Sequence, residues 1–267
     1  MTTQSAIRVL PAHRLAELRS LLKSHQTEVI DLNSLADRFS VSVQTIRRDM
    51  NILAAEGLVE RTFGGAVIQN MPLTLEPDVE QRENAAAPLK LAIAKAALPL
   101  INEGEAVFVD ASTTVLNLIR LFPQGFPLDA TTSSLQGTQQ LAMRVQGNVV
   151  LLGGDYRSSA DCVGGTATVE QVSRMRFSTA IISCRSIHTT QGVTEAKAEE
   201  ASLKRIVISH SERVILLVDS SKFDQVSANH FAELEEIDVL VVDDQLDDQQ
   251  LAQLQERVAL VIVAPTS

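Results

Sequence analysis

Cysteines, long apolar runs and targeting signals are scarce in this sequence, and each absence excludes a class of protein. Its 267 residues hold two cysteines, Cys162 and Cys184, which are too few for a disulfide framework and lack the spacing of metal ligands. No run of about 18 apolar residues that would cross a bilayer is present, and the N-terminus lacks the apolar core of a secretory signal. We therefore expect a folded cytoplasmic protein with reduced thiols and with no metal, cofactor or membrane partner.

Positive charge is scarce overall but is concentrated near the N-terminus. The net charge is −10, yet residues 1–70 carry eight Lys and Arg against seven Asp and Glu, a net charge of +1 that leaves −11 for the rest. Arginines clustered in a near-neutral segment can contact a polyanion, while an acidic remainder discourages nonspecific coating of DNA. The charge distribution is therefore compatible with local DNA contact by the N-terminal segment.

The first 57 residues have the periodicity of three short helices. The apolar residues expected on their buried faces are Leu15, Leu18 and Leu22 in the first, Leu35, Ala36 and Phe39 in the second, and Ile46, Met50 and Leu53 in the third. Asp31 and Ser42 are the expected N-caps of the second and third helices, and Gly57 supplies a C-terminal stop. A helix, a short turn and a helix with an exposed polar stripe form the helix-turn-helix pattern, whose second helix enters the major groove of DNA.

The exposed stripe of the third helix holds side chains that can read bases, namely Gln44, Arg47, Arg48 and Asn51. Arginine can pair two donors with guanine, and glutamine can pair with adenine, but the same stripe would also simply solvate an amphipathic helix. Residues 58–62 and 66–68 predict two strands around a glycine turn, and this hairpin would place Arg61 against the phosphate backbone. The hairpin favours a winged helix-turn-helix.

Three stretches resemble the DeoR family of bacterial transcription regulators almost position for position: residues 41–50 (VSVQTIRRDM), 56–61 (EGLVER) and 64–66 (GGA). The resemblance implies that the third helix reads an operator and that the Gly-Gly-Ala stretch belongs to the wing. Together with Asn51 on the helix face, the residues expected to contact DNA are Ser42, Gln44, Thr45, Arg47, Arg48, Asn51, Arg61 and Gly64. Asp49 is expected instead to brace a neighbouring arginine or a backbone group.

Residues 71–88 contain three prolines and several acidic side chains without a sustained apolar period, so they indicate a linker with room for a short helical turn. Residues 1–70 then form the DNA-binding domain and residues 89–267 a second domain. There, predicted strands (106–109, 149–152, 180–183, 214–218, 239–242 and 258–263) alternate with predicted helices (89–101, 115–121, 169–175 and 198–209). This alternation predicts an α/β domain with a mainly parallel sheet.

Four polar segments of the second domain lie where such a sheet binds ligands, beyond the carboxyl ends of strands. Residues 110–114 open a helix with hydroxyl side chains and free amides that favour phosphate, although they would equally serve as a simple N-cap. Residues 131–134 form a polar loop, and residues 151–154 end in a glycine pair that permits close approach or merely a turn. Residues 219–223 carry a lysine that would balance a phosphate or merely be solvated.

Taken in this order, the four segments are similar to the DeoR-family sensor domain, so the resemblance spans about residues 14–263. It implies a fold similar to ribose-5-phosphate isomerase and a phosphorylated sugar as effector. The effector-binding residues implied position by position are Asp110, Ser112, Thr113, Thr114, Thr132, Ser133, Gly153, Gly154 and Lys222. Ser112, Ser133 and His188 differ from the residues that are usual in the family at these positions. These differences affect the expected identity of the effector more than the expected fold. At Ser112 and at the Ser183-Cys184 pair, the sequence resembles the branch of the family that contains the fucose operon activator.

An isomerase with an added DNA-binding module is the competing interpretation. Moving a proton beside a carbonyl requires a poised carboxylate, and isomerases of the resembled fold carry an acidic cluster after the strand that corresponds to residues 180–183. This chain has Cys-Arg-Ser-Ile-His at 184–188 instead. His188 and Glu195 are candidate substitutes, but a loop histidine and a helix-opening glutamate explain them more simply. The sequence therefore predicts binding without catalytic residues.

An architectural DNA-binding protein without a ligand is a third class, but such proteins are small and basic. We expect instead a homo-oligomer, a dimer or tetramer, that regulates a carbohydrate-utilisation operon. A phosphorylated sugar bound to the second domain would control its binding to double-stranded operator DNA. The sequence leaves open whether it represses or activates, which operator it reads and which sugar phosphate it binds.

Overall fold

The computed structural model describes Arg14, Leu18 and residues 29–39, 41–55, 59–62, 65–68 and 79–266. The chain divides into two compact units, Met1–Glu76 and Pro77–Ser267. Residues 77–88 thus belong to the larger unit, although the sequence placed them in a linker, because the short helix they contain is hydrogen-bonded to that unit. In these ranges, no helix is long and apolar enough to span a bilayer.

The smaller unit combines two described helices with a three-stranded antiparallel sheet. In chain order its elements are β1 (Val29–Asp31), α1 (Leu32–Arg38), α2 (Val43–Ala55), β2 (Val59–Thr62) and β3 (Gly65–Ile68). β3 pairs with β1 on one side and with β2 on the other. The second and third predicted helices and the hairpin are confirmed. β1 was not predicted, because three residues that pair with a strand far along the chain carry no pattern of their own.

The core of the smaller unit confirms the predicted buried face of α2. Ile46 and Leu53 are fully buried and Met50 is 2% exposed. These side chains pack with Leu35 of α1 and with Leu18. An amphipathic helix with one buried face must present the opposite face outward. Three residues named for the helical pattern lie outside the described residues: Leu15, Leu22 and Gly57.

The larger unit is built on a parallel sheet of seven strands. Its helices are α3 (Val79–Asn84), α4 (Ala87–Ala97), α5 (Thr113–Leu121), α6 (Leu135–Arg144), α7 (Thr166–Val172), α8 (Ala198–Ser209) and α9 (Asp248–Gln255). Its strands are β4 (Ala106–Val109), β5 (Phe126–Pro127), β6 (Asp129–Thr132), β7 (Val145–Gln146), β8 (Val149–Leu151), β9 (Asp155–Arg157), β10 (Cys162–Gly164), β11 (Phe177–Ile182), β12 (Ser186–His188), β13 (Gly192–Glu195), β14 (Ser211–Leu217), β15 (Asn229–Ala232), β16 (Val239–Asp243) and β17 (Leu260–Ala264). The sheet order is β17-β16-β14-β11-β4-β6-β8, with every neighbouring pair parallel.

Helices cover both faces of this sheet. Phe108 of β4 packs in a cluster with α7, α8 and α9, whereas Val107 and Val109 pack in a second cluster with α4, α5 and α6. A strand buried on both faces needs apolar residues at consecutive positions. The apolar runs in the sequence therefore located their strands, and every strand and helix predicted for this unit is present with its ends shifted by a few residues.

β6 and α6 were not predicted, because β6 reads Asp-Ala-Thr-Thr and α6 is rich in glutamine. The segment 131–134, interpreted as a loop, contains the end of β6 and the residue that caps α6.

β6 and β8 lie on one side of β4, whereas β11 and the later strands lie on the other. The chain thus reverses its direction across the sheet between β4 and β11. Open α/β sheets bind ligands at such a switch point.

Candidate functional sites

Helix α2 presents its polar face outward. Ser42, Gln44, Arg47 and Arg48 are exposed, and Thr45 is half-buried. Ser42 also caps the helix as predicted, because its Oγ accepts a hydrogen bond from the Thr45 amide at 3.2 Å. The two arginines and the glutamine thus extend from a helix that is fixed at its start. For Asn51 and Arg61 the structure describes the backbone, in α2 and β2, and Gly64 lies outside the described residues.

Asp49 faces the interior of the smaller unit. Its Oδ2 accepts a hydrogen bond from Arg14 Nε at 2.6 Å, and its Oδ1 accepts one from Arg14 Nη2 at 3.3 Å. Both side chains are more than nine-tenths buried, and the hydrogen bond to Asp49 raises the pKa of Arg14. The expectation that Asp49 braces an arginine is confirmed, and the arginine is one that precedes α1 in the chain.

At the switch point of the larger unit, three buried charges hold the carboxyl ends of β4 and β11 together. Lys204 of α8 donates to Glu195 Oε1 at 2.6 Å and to the carbonyl of Ser183 at 2.7 Å. Its Nζ also lies 3.1 Å from Asp110 Oδ2, which accepts the amide of Ser183 at 3.1 Å. Asp110, Glu195 and Lys204 are each no more than 5% exposed. Asp110 is thus engaged in holding the strand ends.

The electrostatic balance of this cluster keeps Lys204 charged. Burial by itself lowers the pKa of a lysine, but the Asp110 and Glu195 carboxylates outweigh the burial and raise the pKa of Lys204 above its ordinary value. The nearby lysines Lys204 and Lys222 do not ionise Cys184, because burial raises the pKa of this thiol to about 12. Cys184 is therefore a neutral thiol at physiological pH.

A pocket lies between the N-termini of α5 and α6. The residues that line it include Arg82, Ser112, Thr113, Ser134, Gly137 and Asp161. Ser112 caps α5 by accepting the Val115 amide at 3.1 Å, and Thr113 Oγ1 donates to the carbonyl of Arg82 at 3.5 Å. The hydroxyl of Thr114 is buried and has no partner among the described residues. The structure thus brings Asp110, Ser112 and Thr113 together on the pocket.

The second predicted loop contributes a different residue to the pocket from those named in the sequence. Ser134 caps α6 by accepting the Gly137 amide at 2.7 Å, and it donates to Asp161 Oδ2 at 2.6 Å. Thr132 accepts the Ser134 amide at 3.1 Å, and the carbonyl of Ser133 accepts the Val163 amide. Thr132 and Ser133 support the turn behind the pocket, and Ser134 lines it.

The N-terminus of α6 is already occupied by a carboxylate of the chain itself. Asp161 Oδ2 accepts the amide of Gln136 at 2.9 Å in addition to the Ser134 hydroxyl. Its Oδ1 accepts the hydroxyl of Tyr156 at 3.1 Å. Because a carboxylate satisfies a helix N-terminus as a phosphate would, the amides of α6 are less accessible to a ligand than those of α5.

The glycine pair packs against α7 and does not line the pocket. The amide of Gly153 donates to Gln171 Oε1 at 2.8 Å, and its carbonyl accepts the hydroxyl of Thr168 at 2.7 Å. Gly154 has a φ of +149°, and a Cβ there would lie 2.4 Å from the carbonyl oxygen of Gly164. The close approach of β10 therefore explains why glycine stands at 154, and effector contact by this pair stays a prediction.

Lys222 follows β14 and reaches across the end of β11, where its Nζ donates to the carbonyl of Cys184 at 2.8 Å. A second lysine, Lys90 of α4, was not singled out in the sequence. It is 4% exposed, and its Nζ donates to the carbonyl of Arg82. The sequence did indicate that Lys90 is buried, since it lies three and four residues before Ile93 and Ala94 and thus on the buried face of an apolar helix.

His188 and Glu195, the two candidate substitutes for an isomerase carboxylate, have different hydrogen-bond partners. His188 Nδ1 accepts the amide of Thr190 at 3.1 Å, within its own turn. Glu195 is held by Lys204. Across the described residues, no group of three or more His, Cys, Asp or Glu side chains could hold a metal ion.

Two family descriptions match this chain, one in each of its two units. The family description "DeoR C terminal sensor domain" matches residues 86–244, and "DeoR-like helix-turn-helix domain" matches residues 14–71. The L-fucose operon activator of Haemophilus influenzae is 34% identical over 214 residues, which cover 80% of this chain and 85% of that one. This chain therefore belongs to the DeoR family of transcription regulators.

Two further relatives have different named roles. The lactose phosphotransferase system repressor of Lactococcus lactis is 27% identical, over 91% of this chain and 95% of that one. The glycerol-3-phosphate regulon repressor of Escherichia coli K12 is 28% identical, over 82% and 86%. These relatives are named as regulators, so the chain is a DNA-binding regulator and the isomerase interpretation is set aside.

Solved structures that resemble this chain include ribose 5 phosphate isomerase A from Neisseria gonorrhoeae. The TM-score is 0.37 and the identity 21%, over 52% of this chain and 53% of that one.

Proposed function

We propose that this regulator controls a carbohydrate-utilisation operon in the cytoplasm and that a phosphorylated sugar bound at the carboxyl ends of β4 and β11 changes its affinity for operator DNA. The observation that carries the proposal is the set of donors at these strand ends, of which Thr114, Ser183 and Lys90 are buried and Lys222 is half-buried. Thr114, Ser183, Lys90 and Lys222 bring hydroxyl and ammonium groups to strand ends at the switch point. Such donors suit an anion, and relatives named for fucose, lactose and glycerol 3-phosphate support a carbohydrate.

The DNA-binding end of the mechanism is α2. Gln44, Arg47 and Arg48 contact base edges in the major groove, and Ser42, Thr45, Asn51, Arg61 and Gly64 support the contact from the helix and the wing. The exposed faces of both arginines favour this role. Because one recognition helix makes few contacts, two or more chains bind repeated half-sites together.

The larger units join these chains into a dimer or tetramer and fix the separation of the recognition helices. A sugar phosphate changes the arrangement of the units and with it that separation. Such coupling amounts to about 1–3 kcal/mol, enough to change operator occupancy severalfold or more.

Isothermal titration calorimetry with the full chain tests the effector class. The panel contains fuculose 1-phosphate, fructose 1-phosphate, glucose 6-phosphate and glycerol 3-phosphate, each beside its unphosphorylated counterpart. We expect at least one phosphorylated compound to bind and to change operator affinity measured by fluorescence anisotropy at fixed salt. Binding of unphosphorylated compounds alone, or binding without any change in operator affinity, would contradict the proposal.

A further inference from the structure

Strand β17 forms one edge of the seven-stranded sheet, and in the part of the chain that the structure describes it pairs with β16 alone. Its sequence, Leu-Val-Ile-Val-Ala, is apolar at every position. Such a run is typical of a parallel strand that is buried on both faces. Leu260 and Val263 are nevertheless 48% and 39% exposed. β17 thus has the composition of an interior strand in an edge position.

Helices cover both faces of the sheet as far as this edge. Val261 packs in the cluster that holds Leu254 of α9, whereas Ile262 packs in the cluster that holds Ile93 and Ala97 of α4. The two helical layers therefore extend to the last strand of the sheet. The uncovered part of β17 is its outer side, where a further strand would lie.

The backbone groups on this outer side belong to alternate residues. The amide of Leu260 donates to the carbonyl of Asp238 at 3.2 Å, so Leu260 directs its N–H and C=O groups toward β16. Successive residues of a strand direct these groups to opposite sides. Val261 and Val263 therefore direct theirs away from the sheet. A row of such groups is a template for pairing with another strand.

β17 lacks the features that protect an edge strand from pairing. Protected edges are very short, charged, bulged or interrupted by proline. The opposite edge, β8, has three residues, whereas β17 has five, with no charged side chain and no shift of register against β16. Residues 71–267 carry a net charge of −11, so two copies of the larger unit repel each other over most of their surfaces. They can approach most easily at an uncharged edge.

The outer side of β17 is complementary to itself. A two-fold axis at Ile262 pairs the strand antiparallel with that of a second copy and places Val261 opposite Val263 of the copy. The outward N–H and C=O groups of both valines are then all paired, in four hydrogen bonds across the axis. An axis at Val263 would instead place Pro265, which has no N–H group, opposite Val261. The strand therefore favours one register and a second copy as its partner.

We propose that the larger unit binds a second copy of itself through β17, so that the two sheets join into one continuous sheet across a two-fold axis. This inference rests on the proposed function, in which the larger units join the chains, and it assigns the surface that joins them. A standard interface buries about 800 Å² on each partner, more than one short strand supplies. The axis also brings α4 beside α4 of the copy on one face and α9 beside α9 on the other, and these helices supply the remaining contact.

Sedimentation velocity of the full chain over a concentration series tests the backbone pairing. Val263→Pro removes one outward N–H group and leaves the bonds that Ile262 and Ala264 make to β16. Two of the four hydrogen bonds across the axis are lost, so the dissociation constant of the dimer should rise by about tenfold or more. Val263→Thr is the matched control, since it keeps the N–H group and the branched shape of the side chain. It should change the constant by less than about threefold.

Disulfide cross-linking of the full chain tests the register. Opposed residues of an antiparallel pair that exchange no hydrogen bonds have Cα atoms about 4.5 Å apart, a separation that a disulfide can span. Ile262→Cys should therefore form a covalent dimer on oxidation with copper phenanthroline, detected on a non-reducing gel. Leu260→Cys is the matched control, because position 260 is more exposed but would lie about 13 Å from its counterpart. The native Cys162 and Cys184 are 4% and 3% exposed and do not compete.

Association of folded Val263→Pro as tight as that of the unmodified chain would overturn the assignment of β17. Equal cross-linking of Ile262→Cys and Leu260→Cys would do the same, and the cysteine variants decide alone if Val263→Pro does not fold. In these cases the larger units join through another surface, and the proposed function stands. A full chain that stays monomeric at every concentration would contradict the joining of the larger units itself and leave β17 to a strand of a different protein. Calorimetry with the effector panel does not depend on either result.

Discussion

Helix α2 and the larger unit both carry cations that we propose to bind an anion, but the cations lie in opposite surroundings. Arg47 and Arg48 on α2 are exposed to solvent, whereas Lys90 and Lys204 of the larger unit are almost fully buried. An exposed arginine keeps its hydration when the protein folds, so its charge costs the fold little. A buried lysine must be neutralised by carboxylates, as Lys204 is, or it weakens the fold until an anion binds. The burial of a cation and its carboxylate partners therefore decide whether its charge stabilises or weakens the fold.

The largest effect is expected where a buried cation holds two carboxylates. Lys204→Met leaves Asp110 and Glu195 buried without a counterion, and we expect the free energy of unfolding to fall by about 3–5 kcal/mol. Urea denaturation of the full chain measures this change. The matched control is Arg205→Met, which removes a neighbouring exposed cation and should cost less than about 1 kcal/mol. Equal losses of unfolding free energy in the two variants would contradict the difference expected between a buried and an exposed cation.

A smaller loss of stability is expected when the charge of Asp49, a buried carboxylate of the smaller unit, is removed. Asp49→Asn retains the shape of the side chain but removes the charge that Arg14 faces, which should cost roughly 2 kcal/mol. Hydrogen exchange at the amides of α2 reports this loss without involving the larger unit. Arg48→Ala, an exposed change on the same helix, should leave the exchange rates unchanged. Protection that survives Asp49→Asn would mean that the pair does not stabilise α2.

Exposed cations on the recognition helix should affect DNA binding and leave the fold intact. Arg47→Ala or Arg48→Ala is expected to weaken operator binding by about 1–3 kcal/mol each, measured by anisotropy at one salt concentration on a DNA fragment selected by the unmodified protein. Effector binding should not change in either variant. Lys222→Ala should do the reverse, and Arg174→Ala, an exposed change in the larger unit, should affect neither. Loss of both activities in any one folded variant would contradict this separation.

The smallest effect is a gain in stability that depends on pH. The pKa of Lys90 lies at about 8 in the folded protein and at 10.5 in its ordinary state, so the unfolded chain binds more protons between these values. The free energy of unfolding of the unmodified protein should therefore rise across this window. Lys90→Met should be more stable by roughly 1–2 kcal/mol below pH 8, with the gain shrinking as the pH approaches 10.5. Urea denaturation at pH 7 and pH 10 checks the sign, and a pH-independent difference would refute it.

The fold could be predicted where the local pattern and the tertiary environment agree. β4 was located at 106–109 because a strand buried on both faces needs consecutive apolar residues. β6 was missed because its Asp-Ala-Thr-Thr carries no such pattern and is held as a strand by β4 and β8 on either side. α2 was predicted because the spacing of Ile46, Met50 and Leu53 is helical and Ser42 caps it.

The candidate site was only partly predictable for the same reason. Ser112 and Thr113 follow a strand and open a helix, so their place at the sheet edge could be inferred from the chain order. Ser134 was outside the predicted set because its helix was not recognised. Lys90 lies in an apolar helix far along the chain from Lys222, and nothing local indicates that both reach one edge.

The sequence by itself determined the two units, the exposed polar face of α2 and the strand ends at which polar segments fall, because each of these follows from periodicity and capping within a few residues. The tertiary structure alone decided what each charged group meets. Asp110, Glu195 and Lys204 come from three separate segments and neutralise one another, whereas Lys90 donates to a backbone carbonyl and feels the opposing charges of Lys222 and Asp219. Electrostatic energy depends on distance in space and on burial, so no pattern along the chain could show which buried lysine has carboxylate partners.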